Sequence, residues 1–159
     1  MPTENLLTVI SNDNANFKQT VTDRVGDYLS NLTYADFDIE ATSAHYYECD
    51  GLTVNLDSVD FDTSNLSVIS IDSDNVKLSV DMTISIEASA DFSLSTEDST
   101  DGDTISLAGT SETASIEFSS KVEIDVTYYQ DEQDYELDDV VVVDLPQAIN
   151  FGELEPDYN

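Results

Sequence analysis

Basic residues are nearly missing from this chain. Lys18, Arg24, Lys77 and Lys121 are the only four among 159 residues, against 35 acids, and the formal net charge is −31. Four cations cannot neutralise a track of phosphates, and the field of the whole chain repels polyanions. The expectation is no direct nucleic-acid binding and, on the same grounds, no membrane partner. Cysteine occurs once, at Cys49, which excludes an intramolecular disulfide. Tryptophan is absent, and with it the usual aromatic platform for sugars. The few glycines form no Gly-x-Ser-x-Gly elbow, phosphate loop or dinucleotide fingerprint. No apolar run approaches the ~18 residues of a spanning helix, and Met1–Ile10 lacks the basic start of a signal peptide. The chain reads as soluble and cytoplasmic.

What is present is alternation. From Val76 to Leu94 every even position is apolar (Val76, Leu78, Val80, Met82, Ile84, Ile86, Ala88, Ala90, Phe92, Leu94) and every odd one polar. A period of two held this long predicts a strand with one buried and one wet face. It would run about 60 Å at ~3.3 Å per residue, so it must bend, bulge or cross a large sheet. After the acidic stretch Glu97–Asp103 the chain is expected to reverse. Ile105 and Leu107 are odd, so partners sum to 201 and Leu107 faces Leu94. From Ala114 to Tyr128 the apolar set is even and the sum becomes about 202. The difference predicts a bulge between Ala108 and Thr113, where Gly109 lies.

One stretch has a different period. Phe17, Val21, Val25, Tyr28, Leu29 and Leu32 form a helical stripe behind the Ser11–Asn14 capping cluster, predicting a helix over about 14–32 that packs on the sheet. Leu6 to Ile10 suggests no more than a helical turn. Asp50-Gly51 is a turn signal. Phase slips between Leu56 and Val59, and between Val68 and Ile69, mark bulges or tight turns. The acidic run Asp131–Asp139 reads as a loop, Val140–Leu145 as a buried or central strand, and 151–159 as a flexible acidic tail. The expected fold is mainly β (α+β): a twisted antiparallel sheet or sandwich, one domain over 1–150, with a long bent hairpin at about 76–96 and 104–130 and one N-terminal helix.

Chemistry is sparse. His45 and Cys49 are the only soft-ligand pair, short of the three or four ligands a zinc site needs. The carboxylate pairs Asp72/Asp74 and Asp101/Asp103 raise a glycosidase or calcium reading, but the order of oxygen ligands in a calcium loop is missing. Asp98, Asp101 and Asp103 remain as a weak cation candidate; no catalytic residue, cofactor or metal is otherwise expected. The acids are spread over almost every segment, Asp outnumbers Glu by 23 to 12, and Ser and Thr fill the remaining wet positions. This composition resembles that of salt-in halophilic archaeal proteins.

The two long alternating strands, the pairs Tyr46-Tyr47 and Tyr128-Tyr129, and the acidic run after the second strand also resemble a known module. It is the β-rich domain that follows the PIN-like nuclease domain in some bacterial and archaeal proteins. The likeness covers about Tyr46 to Val143. It implies an accessory or regulatory module beside a separate partner, and no functional residue, because the nuclease centre belongs to the other domain. The leading expectation is therefore a non-catalytic interaction module. An unpaired strand edge would suit a homodimer. The alternatives are a nucleic-acid mimic that inhibits a basic protein and, last, a carboxylate-based hydrolase.

Overall fold

A computed structural model describes residues 2–97 and 102–157, without the side chains of 2–4. The chain is mainly β, with about 60% of the described residues in strands. Two helices, α1 (Pro2–Asn12) and α2 (Asn14–Ser30), precede eight strands among the described residues: β1 (Asp38–Ser43), β2 (Tyr46–Asp60), β3 (Ser67–Asp72), β4 (Asn75–Glu97), β5 (Thr104–Ser106), β6 (Thr110–Tyr129), β7 (Asp134–Val142) and β8 (Ala148–Leu154). The main sheet runs β2-β4-β6-β7, with β3 and β5 also pairing β4. The residues group into two compact units. One holds Met1–Leu29, Leu56–Ser85 and Glu117–Leu145; the other holds Ser30–Asn55, Ile86–Ile116 and Pro146–Asn159.

All ten even positions from Val76 to Leu94 are buried, as the alternation requires. In the first unit Leu78, Val80, Met82 and Ile84 share the core with Val122, Ile124, Val126 and the α2 stripe Phe17, Val21, Val25 and Leu29. Phe17 meets Tyr135 of β7 edge-on at 5.9 Å. Arg24 donates to the carbonyls of Leu137 and Asp138 at 3.4 and 3.3 Å, so one of the four bases covers backbone acceptors of β7. In the second unit Phe92 is the hub, meeting Tyr47 at 6.1 Å and Phe151 at 5.5 Å. Gly109 lies beside it: a Cβ there would come within 2.7 Å of the Phe92 carbonyl oxygen.

The hairpin register holds where it can be read. Ser95 faces Ser106, Thr96 faces Ile105, and the Leu107 amide donates to the Leu94 carbonyl at 2.9 Å. Pairing is interrupted between Ser106 and Thr110, around Gly109. The slip at Val68 is a register shift between Val68 and Ser70 opposite β4. That at Leu56 is absorbed inside β2, where Asp57 and Ser58 are exposed in succession.

Five expectations are corrected. The single N-terminal helix is two, because only Asp13 interrupts the helical path; its amide bonds back to the Val9 and Ile10 carbonyls, and its own carbonyl accepts from Phe17. Asp50-Gly51 is no turn but the middle of β2, where Asp50 accepts a hydrogen bond from Ser93 of β4. Sheet pairing there overrides local turn preference. Asp131–Asp139 is not a loop: the chain turns over Gln130–Gln133, with Gln133 at φ 51°, and re-enters the sheet as β7. Its acids stay exposed while Leu137 is buried opposite Val126. Val140–Leu145 is not a central strand: β7 ends the strand order, Val141 is exposed between the buried Val140 and Val142, and Val143 is exposed beyond them. The tail from 151 is strand through Leu154, because Ile149, Phe151 and Leu154 are buried and β8 pairs in parallel with β1, outside any antiparallel plan.

Candidate binding groove

The first unit carries two adjoining cavities where the chain leaves β2, loops through a 3-10 turn at Thr63–Asn65 and enters β3. One, of about 430 Å³, is lined by Lys18, Asp60, Phe61, Asp62, Asn65, Asp81, Met82, Thr83 and Ser119. The other, of about 420 Å³, is lined by Asn65, Ser67, Ile69, Ser79, Val80, Asp81, Lys121 and Glu123. They share Asn65 and Asp81 and form one groove.

Local chemistry fixes the wall. Asp62 caps the 3-10 turn by accepting from the Ser64 amide at 2.9 Å, and the bonds from Ser64 hold its carboxyl below the ordinary aspartate range. Thr63 donates to Asn14 at 2.9 Å, tying the turn to the start of α2. Lys18 reaches from α2 to lie 5.4 Å from the Phe61 ring centre, a cation–π contact that sets its ammonium at the rim. Lys121 is fixed through its backbone. Its amide donates to Asp144 at 3.2 Å, and its carbonyl accepts from the Val143 amide at 3.0 Å and the Ser120 hydroxyl at 2.8 Å. Ser120, almost fully buried, also accepts from the Asp144 amide at 2.9 Å. The groove thus offers two ammoniums, four carboxylates, several hydroxyls and an amide. It can hold polar groups of either sign, and neither the histidine nor the cysteine lines it.

The residues singled out from the sequence are not brought together. His45 opens a cavity of about 380 Å³ with Ser43, Ala44, Tyr46, Thr96 and Glu97 in the second unit. Cys49 lies about 13 Å further along the extended chain. Its thiol contacts the Gly51 carbonyl at 3.5 Å; burial pushes it above the ordinary thiol value, the bond to Gly51 opposes that, and Asp50 and Asp91 add to it. Asp98 and Asp101 lie outside the described residues, and Asp103 is exposed just before β5. Among the described residues no group of three or more His, Cys, Asp or Glu is placed to hold a metal ion. No helix among the described residues is long and apolar enough to cross a membrane. Lys18, Asn65 and Lys121 were not legible as a site. The sequence signals that bear on them are the phase slip at Val68 and the rarity of bases.

Carboxylates on the wet face of the strands are held by hydroxyls. Ser93 of β4 donates to Asp50 of β2. Ser111 of β6 donates to Asp91 of β4 at 2.6 Å, Thr127 of β6 to Asp138 of β7 at 2.6 Å, and Tyr129 to Glu136 at 3.0 Å. The bond to Glu136 raises the Tyr129 phenol above its ordinary value.

The chain matches no family model, no curated protein and no solved structure.

Proposed function

We propose that this chain is a non-catalytic interaction module, accessory to a protein partner, with an acid coat suited to concentrated salt. The observation that carries the reading is the cross-strand pairing of carboxylates with neutral hydroxyls: Ser93 with Asp50, Ser111 with Asp91, Thr127 with Asp138. A lysine would cancel the charge; a hydroxyl orients the carboxylate and leaves its charge in place. A surface built this way repels itself and depends on dissolved cations for screening, with a Debye length of about 3 Å at 1 M salt against about 10 Å at 0.1 M. Thermal melts of the full chain across a potassium chloride series test the proposal. The melting temperature is expected to climb steeply with salt; one that stays level or falls would overturn it.

A second reading has its own support. Asp134, Glu136 and Asp138 recur at every second residue of β7, a row of carboxylates about 6.6 Å apart. Such a row suits mimicry of a nucleic-acid backbone toward a basic protein. It predicts capture of that protein at low salt and release as salt rises, the opposite of a coat that works best when salt is high.

A further inference from the structure

β3 is a strand whose apolar side chains are left in water. Ile69 and Ile71 are 49% and 54% exposed, and Val68 is only half-buried. β3 pairs with β4, and among the described residues no strand lies against its other edge. Three β-branched aliphatic residues within six, beside an open row of backbone donors and acceptors, make a template for one more strand.

Charge identifies the occupant. Lys77 lies opposite Ser70 in the middle of β3. Lys121 shares a cavity with Ile69, and Lys18 lines the adjoining one. Two of the chain's four bases therefore flank this strand, and a third lines the neighbouring cavity. The acids of the same two cavities are Asp60, Asp62, Asp81 and Glu123. Even with Asp72 and Asp74 at the end of the strand, the local balance is three bases to six acids, where the whole chain has 4 to 35. A basic partner is drawn to the denser acids of β7. Two copies that each carry −31 can approach where that charge is thinnest.

We propose that β3 is a self-pairing edge, through which two copies of this chain join their sheets. The inference rests on the interaction-module reading and gives that module its partner. Antiparallel pairing about a two-fold axis at Ser70 sets Ile69 of one copy across from Ile71 of the other, covering the exposed aliphatic side chains. The bulge at Ile69 and the shortness of the strand keep the association weak. Its salt dependence has a definite sign: screening removes repulsion between like-charged copies, so pairing strengthens as salt rises.

Sedimentation equilibrium of the full chain, with reductant present because of Cys49, tests this at about 0.5 to 3 M potassium chloride. The dimerisation constant is expected to rise about tenfold or more over that range. Ile71→Lys should weaken pairing about tenfold, roughly 1.4 kcal/mol, although it lowers the net negative charge, which separates strand contact from simple repulsion. Val141→Lys makes the same charge change on β7 and should stay within about twofold of the parent. Both positions are exposed, and an unchanged circular dichroism spectrum serves as the folding control. A chain that stays monomeric at every salt concentration overturns the pairing, as does an Ile71→Lys variant that pairs like the parent or a Val141→Lys variant that does not pair. If the melting temperature still climbs with salt in those cases, the acid-coat reading stands without the pairing. Salt-driven dimers with a salt-independent melt would instead leave the pairing standing without the coat.

Discussion

Gly109→Ala tests the geometry between β5 and β6. A Cβ at this position would lie 2.7 Å from the Phe92 carbonyl oxygen, and the next atom it meets is the Phe92 carbonyl carbon at 3.8 Å. Ordinary contact needs about 3.4 Å or more, so backbone must move by about 0.7 Å; no side chain can swing aside. Phe92 is buried between Tyr47 and Phe151, and the nearby Leu107 amide is tied to the Leu94 carbonyl, so neither side yields freely. Overpacking of this kind costs about 1–3 kcal/mol. Gly109 is not among the glycines with positive φ, so alanine also stiffens the unfolded chain and returns about 0.4–1 kcal/mol. The net expectation is a loss of about 1–2 kcal/mol, read as a lowered urea midpoint at fixed potassium chloride with unchanged slope. Gly51→Ala is the matched control. It too lies outside the positive-φ set, and its nearest atom is the Asp91 carboxylate oxygen at 4.0 Å, so it should be neutral or stabilising by up to about 1 kcal/mol. A Gly109→Ala variant as stable as the parent, or a larger loss at Gly51, would refute the reasoning.

Three further outcomes follow from groups already described. Tyr128 is buried and its hydroxyl has no hydrogen-bond partner among the described residues, so Tyr128→Phe should raise stability by about 1 kcal/mol in the same urea assay. Ser120→Ala removes an acceptor from the Asp144 amide and should cost about 1–3 kcal/mol, where a surface serine such as Ser115 should cost little. The Asp62 carboxyl, depressed by its bonds to Ser64, should titrate below the ordinary aspartate value of about 3.9 when followed by carbon NMR. Its folded value lies below its unfolded one, so its support for the 3-10 turn is complete above the unfolded value and lost as pH falls through the folded value. An Asp62 midpoint at or above the ordinary value would contradict the cap.

The sheet was legible where one physical demand dominates a segment. Val76–Leu94 buries one face along its whole length, so its alternation is unambiguous, and apolar matching fixed the Leu94–Leu107 register without knowledge of the turn. The α2 stripe was readable for the same reason. Errors arose where local preference and sheet pairing compete. Asp50-Gly51 favours a turn by itself but is held in β2 by pairing with β4. Residues 131–139 carry six carboxylates, which hid the inward Tyr135 and Leu137 that make β7 a strand. β8 was missed because its buried residues, Ile149, Phe151 and Leu154, are few and interrupted by Gly152. The groove was invisible because its parts come from α2, the end of β2 and the turn after it, β3, β4 and β6, and no spacing along the chain announces a site assembled from so many places.

The parallel pairing of Asp38–Ser43 with Ala148–Leu154 has a consequence for synthesis. Asp38 must wait for Ala148 before its strand has a neighbour. Everything from β2 through β7 is therefore translated before this two-stranded sheet can close, and contacts so distant in sequence form slowly. Until then Phe37 and Ile39 depend on whatever shelters a nascent chain, and a ribosome stalled before residue 148 would hold a product whose β1 has no partner.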